Sequence, residues 1–110
     1  MNQALNNLII ILTLFLFLFQ SCDKTEPAVT VTYSSDIQNI MYNYCTSCHQ
    51  GTAPSANLDL STYQNVRNAT LQGTLVQRVN DANNPMPASG LIAASDRKKI
   101  DDWVQAGCPQ

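Results

Sequence analysis

The sequence is poor in charge and in histidine. Only 13% of its 110 residues are Asp, Glu, Lys or Arg, the formal net charge is -2, and there is a single histidine. No cluster of Lys and Arg forms a basic patch, so we expect no nucleic-acid partner. No apolar run reaches the ~20 residues of a spanning helix, and no segment alternates as a strand does. These absences indicate one small helical domain.

An almost uninterrupted apolar run from Leu8 to Phe19 is typical of a signal-peptide core, although the usual preceding positive charge is missing. Ser21 then precedes Cys22, which is similar to the cleavage box of bacterial lipoproteins. We therefore predict a signal peptide over 1–21, a lipid-anchored tether over 22–33 and a domain over 34–110. The protein would be exported to the periplasmic or outer-surface side of a membrane. A short uncleaved anchor and a plain secreted protein are the alternatives.

A first helix is predicted from Ser35 to Cys45, with Ser35 as the cap and Gln38 completing a capping box. The residues at helical spacing form its buried face: Ile37, Ile40, Met41 and Tyr44. The mature chain is short, and domains of that size usually need a disulfide, a metal or a large cofactor.

A last helix is predicted to begin near Ser95 and to end at Gly107. Its apolar stripe consists of Ile100, Trp103 and Val104. The middle, 50–91, is rich in Gly and Pro and has room for short helices over 62–68 and 74–80. The predicted fold class is therefore all-α, with long loops between the first and last helices.

The residues Cys45-Thr46-Ser47-Cys48-His49 form Cys-x-x-Cys-His, the attachment signature of c-type haem. Both thiols must reach vinyl groups on one edge of a flat macrocycle, and a turn at the end of a helix puts both sulfurs on one side. The adjacent His49 then directs its imidazole at the iron. We predict one covalent haem c on Cys45 and Cys48, with His49 as an axial ligand.

Cysteines at this spacing also occur in dithiol redox proteins and in zinc sites. A dithiol redox motif would need a βαβ context, and no strands are predicted. A zinc site could recruit Cys45, Cys48, His49 and Cys108, but neighbours in sequence rarely converge on one ion with tetrahedral geometry. Haem does not require that convergence, because only the histidine binds its metal.

The second axial ligand is predicted to be Met86. With one histidine in the chain, bis-histidine ligation is excluded. Met1 leaves with the signal peptide, and Met41 falls on the buried face of the first helix. Met86 is flanked by Pro85 and Pro87, which stiffen its loop. A His/Met pair raises the potential and suits electron transfer.

With these motifs the chain resembles the small monohaem c-type cytochromes that have one N-terminal and one C-terminal helix, over about 34–109. The resemblance implies that these helices cross and that a loop-rich middle wraps one haem. It also implies that Ile40 or Tyr44 lies near Trp103. The haem walls would then include Leu58, Leu60, Tyr63, Leu75 and Leu91.

The resulting function is one-electron transfer between protein partners such as an oxidase or a dehydrogenase, by a monomer that is not an enzyme. A haem protein with an open iron site, binding a gas or a peroxide, is the alternative if Met86 does not bind iron. Cys108 matches no part of the pattern. It is expected to be buried and inert, with intermolecular pairing or modification as the alternatives.

Overall fold

The computed structural model describes residues 2–3 and 30–110, and within them it is all-α. The α-helices of residues 30–110 are α1 (Gln38–Tyr44), α2 (Tyr63–Leu71), α3 (Leu75–Asn80) and α4 (Ala94–Gln105). A π-helical turn over Tyr33–Ile37 leads into α1, and a 3-10 turn covers Ser55–Asn57. No strand occurs among the described residues, as the sequence predicts.

The membrane-related predictions fall largely outside the described part. The predicted signal peptide, the lipid site at Cys22 and most of the tether lie there. Within residues 2–3 and 30–110, none of the helices is long and apolar enough to cross a membrane.

The first helical segment is capped by Thr32, so the prediction that Ser35 and Gln38 cap it is wrong. Thr32 has extended backbone angles, and its side-chain oxygen accepts a 3.2 Å hydrogen bond from the Ser35 N–H. The Thr32 N–H donates in turn to Asp36 Oδ2 at 3.4 Å. This reciprocal arrangement satisfies N–H groups at the helix start, as a capping box does. Ser35 and Gln38 lie inside the helical segment instead.

The packed domain also begins earlier than the predicted boundary at residue 34. Val31 and Tyr33 are both buried in the core. The Tyr33 N–H donates to Pro109 O at 3.0 Å, and the Ser34 N–H donates to Gln110 O at 3.1 Å. These bonds join the start of the domain to its C-terminus, so the last residues of the predicted tether are part of the fold.

The end of α4 confirms Gly107 as the helix terminator. Gly107 has a φ of 85°, in the left-handed region that favours glycine. Its N–H donates to Val104 O at 3.0 Å, and the Cys108 N–H donates to Trp103 O at 2.9 Å. These two bonds make a Schellman motif. At its other end, α4 begins at Ala94, one residue before the predicted cap Ser95.

Trp103 is fully buried and occupies the centre of the core. Its ring centroid lies 6.2 Å from that of Tyr33, and its Nε1–H donates to Pro109 O at 2.8 Å. Ile40 belongs to the same core, whereas the Tyr44 hydroxyl donates to Asp96 Oδ2 at 3.3 Å. The first and last helical segments are thus joined through both an aromatic contact and a polar one.

The middle of the chain contains the two predicted short helices. Thr62 caps α2 by accepting from the Asn65 N–H at 3.3 Å, and α2 extends beyond the predicted end at residue 68. The Tyr63 hydroxyl donates to Cys108 O at 2.9 Å, which ties α2 to the C-terminus. The buried side chains of α3, Leu75 and Val79, pack into the core.

Candidate functional site

The segment from Cys45 to His49 continues the first helix as a tight turn. The Cys45 N–H donates to Met41 O at 2.8 Å, and the His49 N–H donates to Cys45 O at 2.9 Å. Thr46 is buried and its hydroxyl donates to Tyr42 O at 3.2 Å, which closes the helix end. The turn therefore holds Cys45, Cys48 and His49 in one rigid unit, as the sequence predicts.

The His49 imidazole is oriented by two backbone carbonyls. Its Nδ1 lies 3.1 Å from Ser55 O and 3.2 Å from Leu58 O. A carbonyl oxygen can only accept, so Nδ1 must carry the proton and donate it. In the neutral ring Nε2 then keeps its lone pair. Metal-binding histidines commonly have this arrangement, in which the second ring nitrogen donates to a fixed acceptor.

An unusual turn brings those carbonyls to His49. Ala56 and Asn57, which lie between Ser55 and Leu58, have φ angles of 56° and 55°. Non-glycine residues adopt this left-handed conformation at a cost of about 1–3 kcal/mol each. The turn is also held to the His49 segment, because the Ser55 N–H donates to Cys48 O at 2.9 Å. This turn places both carbonyl oxygens within hydrogen-bond distance of His49 Nδ1.

Cys45, His49 and Met86 line the same two cavities, each of about 310 Å³. The main cavity is closed mostly by small and aliphatic residues; its lining is Cys45, His49, Ala56, Leu58, Ala69, Gly73, Thr74, Leu75, Arg78, Val79 and Met86. The second cavity has Cys48 and the loop after Met86 among its walls, and it is lined by Tyr44, Cys45, Ser47, Cys48, His49, Met86, Pro87, Ala88 and Ser89. Predicted ligand residues from distant parts of the sequence thus meet here.

Met86 reaches the cavities from a loop that is anchored to α3. Its N–H donates to Arg78 O at 3.0 Å. The Gly90 N–H donates to Pro87 O at 3.1 Å, which closes a turn directly after Met86. Asp81 Oδ1 accepts from the backbone N–H of Asn84 at 3.2 Å at the loop's start. The Met86 side chain is 38% exposed, so it is not core filler.

The two thiols of the motif differ in environment. Burial raises the pKa of Cys45 to about 11, so this thiol is protonated at neutral pH. Cys48 is exposed. Catalytic dithiols have the opposite property, because their nucleophilic cysteine has a lowered pKa. The environment of Cys45 therefore does not favour dithiol exchange.

Among residues 30–110, the other two sulfur-containing residues, Met41 and Cys108, do not line these cavities. Met41 is 1% exposed and belongs to the core, as the sequence predicts. Cys108 is also 1% exposed, and burial raises its pKa. This burial confirms the expectation for Cys108, which is a free thiol in the structure. Among residues 30–110, no three His, Cys, Asp or Glu side chains converge as a metal-binding group.

The predicted wall residues are only partly brought together. Leu58 and Leu75 line the main cavity. Leu60 is buried in the core, and Tyr63 packs edge-to-face on Tyr33 at a centroid distance of 5.3 Å. Leu91 is 41% exposed. Leu60, Tyr63 and Leu91 therefore do not line either cavity, and Leu60 and Tyr63 pack in or against the core instead.

Arg78 is a cavity residue that sequence reasoning missed. It lines the main cavity next to Leu75 and Val79, and its Nε is buried without a hydrogen-bond partner among the described residues. The sequence signal was weak: Arg78 is a cation directly before Val79, in a short helix whose other apolar residues are Leu75 and Val76.

Comparison with known proteins found no match to a protein-family model, a curated protein or a solved structure.

Proposed function

We propose that this protein is a monohaem c-type cytochrome that carries one electron at a time between protein partners. The observation that carries the proposal is the meeting of Cys45, His49 and Met86 on shared cavities, with the His49 Nδ1–H turned away onto backbone carbonyls. Haem bound there would supply an iron that accepts and releases a single electron.

The residues present fit such a group. Cys45 and Cys48 would hold its edge through thioethers, and His49 Nε2 and the Met86 sulfur would bind its iron. The aliphatic side chains of Leu58, Leu75 and Val79 would contact the flat macrocycle. A cation with a buried, unpartnered donor is also present in the same cavity. The cytochrome c-like arrangement of the helices is part of this proposal.

The test is expression with a haem-maturation system. The intact mass should exceed that of the polypeptide by one haem, and a haem stain should persist on a denaturing gel. The matched control is Cys45→Ala with Cys48→Ala, which should abolish the stain. A wild-type mass equal to the bare polypeptide would refute the proposal and leave a zinc or dithiol module as the alternative.

We further place the cytochrome on the exported side of a bacterial membrane, with a lipid on Cys22 and a redox enzyme as partner. The apolar run before Cys22 and the small residue Ser21 support this location. Several acyl chains would give firm attachment, since each buried CH₂ contributes ~0.8 kcal/mol. Electron transfer suits such a position, because the carrier stays close to membrane-bound partners.

A further inference from the structure

The guanidinium of Arg78 is incompletely partnered inside the main cavity. Its Nη2 donates to Asn84 Oδ1 at 3.2 Å, while its Nε is buried and has no partner among the described residues. The ion pairs of this part of the chain are Lys98–Asp102 and Lys99–Asp36, so no carboxylate there neutralises Arg78. A buried donor without a partner is unfavourable, and more so when the group is charged. An acceptor on a group bound in the main cavity would satisfy this donor.

Arg78 also lies on a particular side of the site. It lines the main cavity but not the second one, whereas Cys48 lines the second but not the main one. His49 and Met86 lie between, since they line both. Cys45, the other thioether residue, also lines both cavities. A planar group held at one edge by Cys45 and Cys48 would therefore extend past His49 and Met86 into the main cavity, which Arg78 lines. In haem, the edge opposite the vinyl groups bears the propionate carboxylates.

We propose that Arg78 binds a haem propionate through its Nε–H and a terminal N–H. This inference rests on the proposed function and adds the residue that holds the acidic edge of the cofactor. Arginine suits the task because its planar donors match a carboxylate in a bidentate manner and it stays charged. Arg78 donates to Asn84 Oδ1 through Nη2, which leaves its Nε–H free for a carboxylate.

The pairing has an electrochemical consequence. Beside Arg78 the propionate keeps a low pKa and stays ionised in both oxidation states of the iron. Without the cation its pKa rises, and it rises further when the iron is reduced, because a positive charge is lost nearby. Reduction is then accompanied by proton uptake between the two pKa values, and the potential falls as the pH increases. Loss of the cation itself also lowers the potential.

The variant Arg78→Gln tests this in the haem-loaded protein. We expect a lower potential that becomes pH-dependent in the neutral range, with the haem still covalently bound. Lys98→Gln is the matched control, because it removes the same charge from an exposed ion pair. It should leave the pH profile unchanged. Asn84→Ala removes the bond to Arg78 but keeps the cation, and it should reproduce little of the effect.

A second test uses the wild-type protein, so it does not depend on whether a variant folds. In the reduced, diamagnetic protein, ¹⁵N NMR should show a slowly exchanging Arg78 Nε–H with contacts to the propionate methylenes. The inference is wrong if those contacts are absent. It is also wrong if the potential of Arg78→Gln depends on pH in the same way as that of Lys98→Gln. It is also wrong if Asn84→Ala gives the full effect, because Arg78 would then only position the loop. Absence of covalent haem in the wild type would instead refute the proposed function.

Discussion

The backbone N–H of Met86 donates a 3.0 Å hydrogen bond to the carbonyl oxygen of Arg78. Helix α3 thereby positions the loop methionine through its backbone, and it contributes its own side chains Leu75 and Val79 to the main cavity. A short helix of modest intrinsic stability thus organises both a wall of the cavity and the approach of the proposed iron ligand.

Met86 is expected to decide whether the protein is an electron carrier. Met86→Ala should abolish the near-infrared methionine–iron band, lower the potential and allow carbon monoxide to bind the reduced iron. Met41→Leu is the control, because that swap nearly conserves volume at a core position that is 1% exposed. If neither substitution changes the spectrum, the iron has an open site, and a gas-binding or peroxidase-like role becomes the better proposal.

Cys22 is expected to determine the location of the protein. Cys22→Ser should move the chain from the membrane fraction to the soluble fraction when the signal peptide is still removed. Fatty-acid labelling of the wild type and fractionation of both forms measure this. Cys108→Ser is a useful control, since a buried cysteine of the core should not influence labelling. Wild-type protein that incorporates no fatty acid would rule out the lipid anchor.

Cys108 is expected to be chemically silent in the folded, haem-loaded protein. It is 1% exposed, and burial raises its pKa, so little thiolate is available at neutral pH. In a Cys22→Ser background, iodoacetamide should modify it only after denaturation, as measured by intact mass. Adding Gln64→Cys introduces an exposed thiol that should react at once and shows that the reagent is active. Rapid native modification of Cys108 would contradict its burial.

Asp36 is expected to make the stability depend on acid. Its hydrogen bond from the Ser35 hydroxyl is the main cause that lowers its pKa, and the Thr32 N–H and Lys99 add to the effect. Because the folded-state pKa lies below the unfolded value of ~4, the stabilisation is fully present above ~4. It is lost as the pH falls through the folded-state pKa.

Urea unfolding of the haem-loaded protein at several pH values tests the role of Asp36. In Asp36→Asn, the free energy of unfolding should fall less steeply as the pH decreases below ~4. Above that pH its dependence on pH should be the same as in the wild type. Asp102→Asn, which breaks the exposed pair with Lys98, serves as a control and should have little effect. If the Asp36 variant loses stability at acid pH as steeply as the wild type, the Asp36 carboxylate does not stabilise the start of the helix.

Gly107 is expected to stabilise the end of α4 through its backbone alone. A Cβ added there meets nothing within 4 Å, but the φ of 85° is unfavourable for alanine. Gly107→Ala should therefore reduce the free energy of unfolding by about 1–2 kcal/mol. Gly107→Asn should cost less, because Asn tolerates the left-handed region. Equal stabilities of all three forms would mean that the helix end relaxes to another geometry.

Some features of the fold and the site could be predicted because their signals are local. The Cys-x-x-Cys-His motif lies within five consecutive residues, and the end of α4 at Gly107 is likewise set by residues close to it in sequence. The apolar periodicity that buries Ile37, Ile40 and Met41 is likewise a property of one helix. The predicted cap was wrong because Ser35 is, by residue type, a better N-cap than Thr32, so local preference favoured the wrong residue. Bonds from Tyr33 and Ser34 to Pro109 and Gln110 bring the segment before α1 into the fold.

By itself, then, the sequence determined the helical class, the burial of Met41 and Trp103, and the thiol and imidazole donors of the motif. Only the tertiary structure decided which residues surround those donors. The carbonyls of Ser55 and Leu58 that orient His49, and the placement of Arg78 and Met86 on one cavity, depend on contacts between distant segments. The periodicity of one segment cannot predict such contacts, because they depend on how the helices and loops pack together.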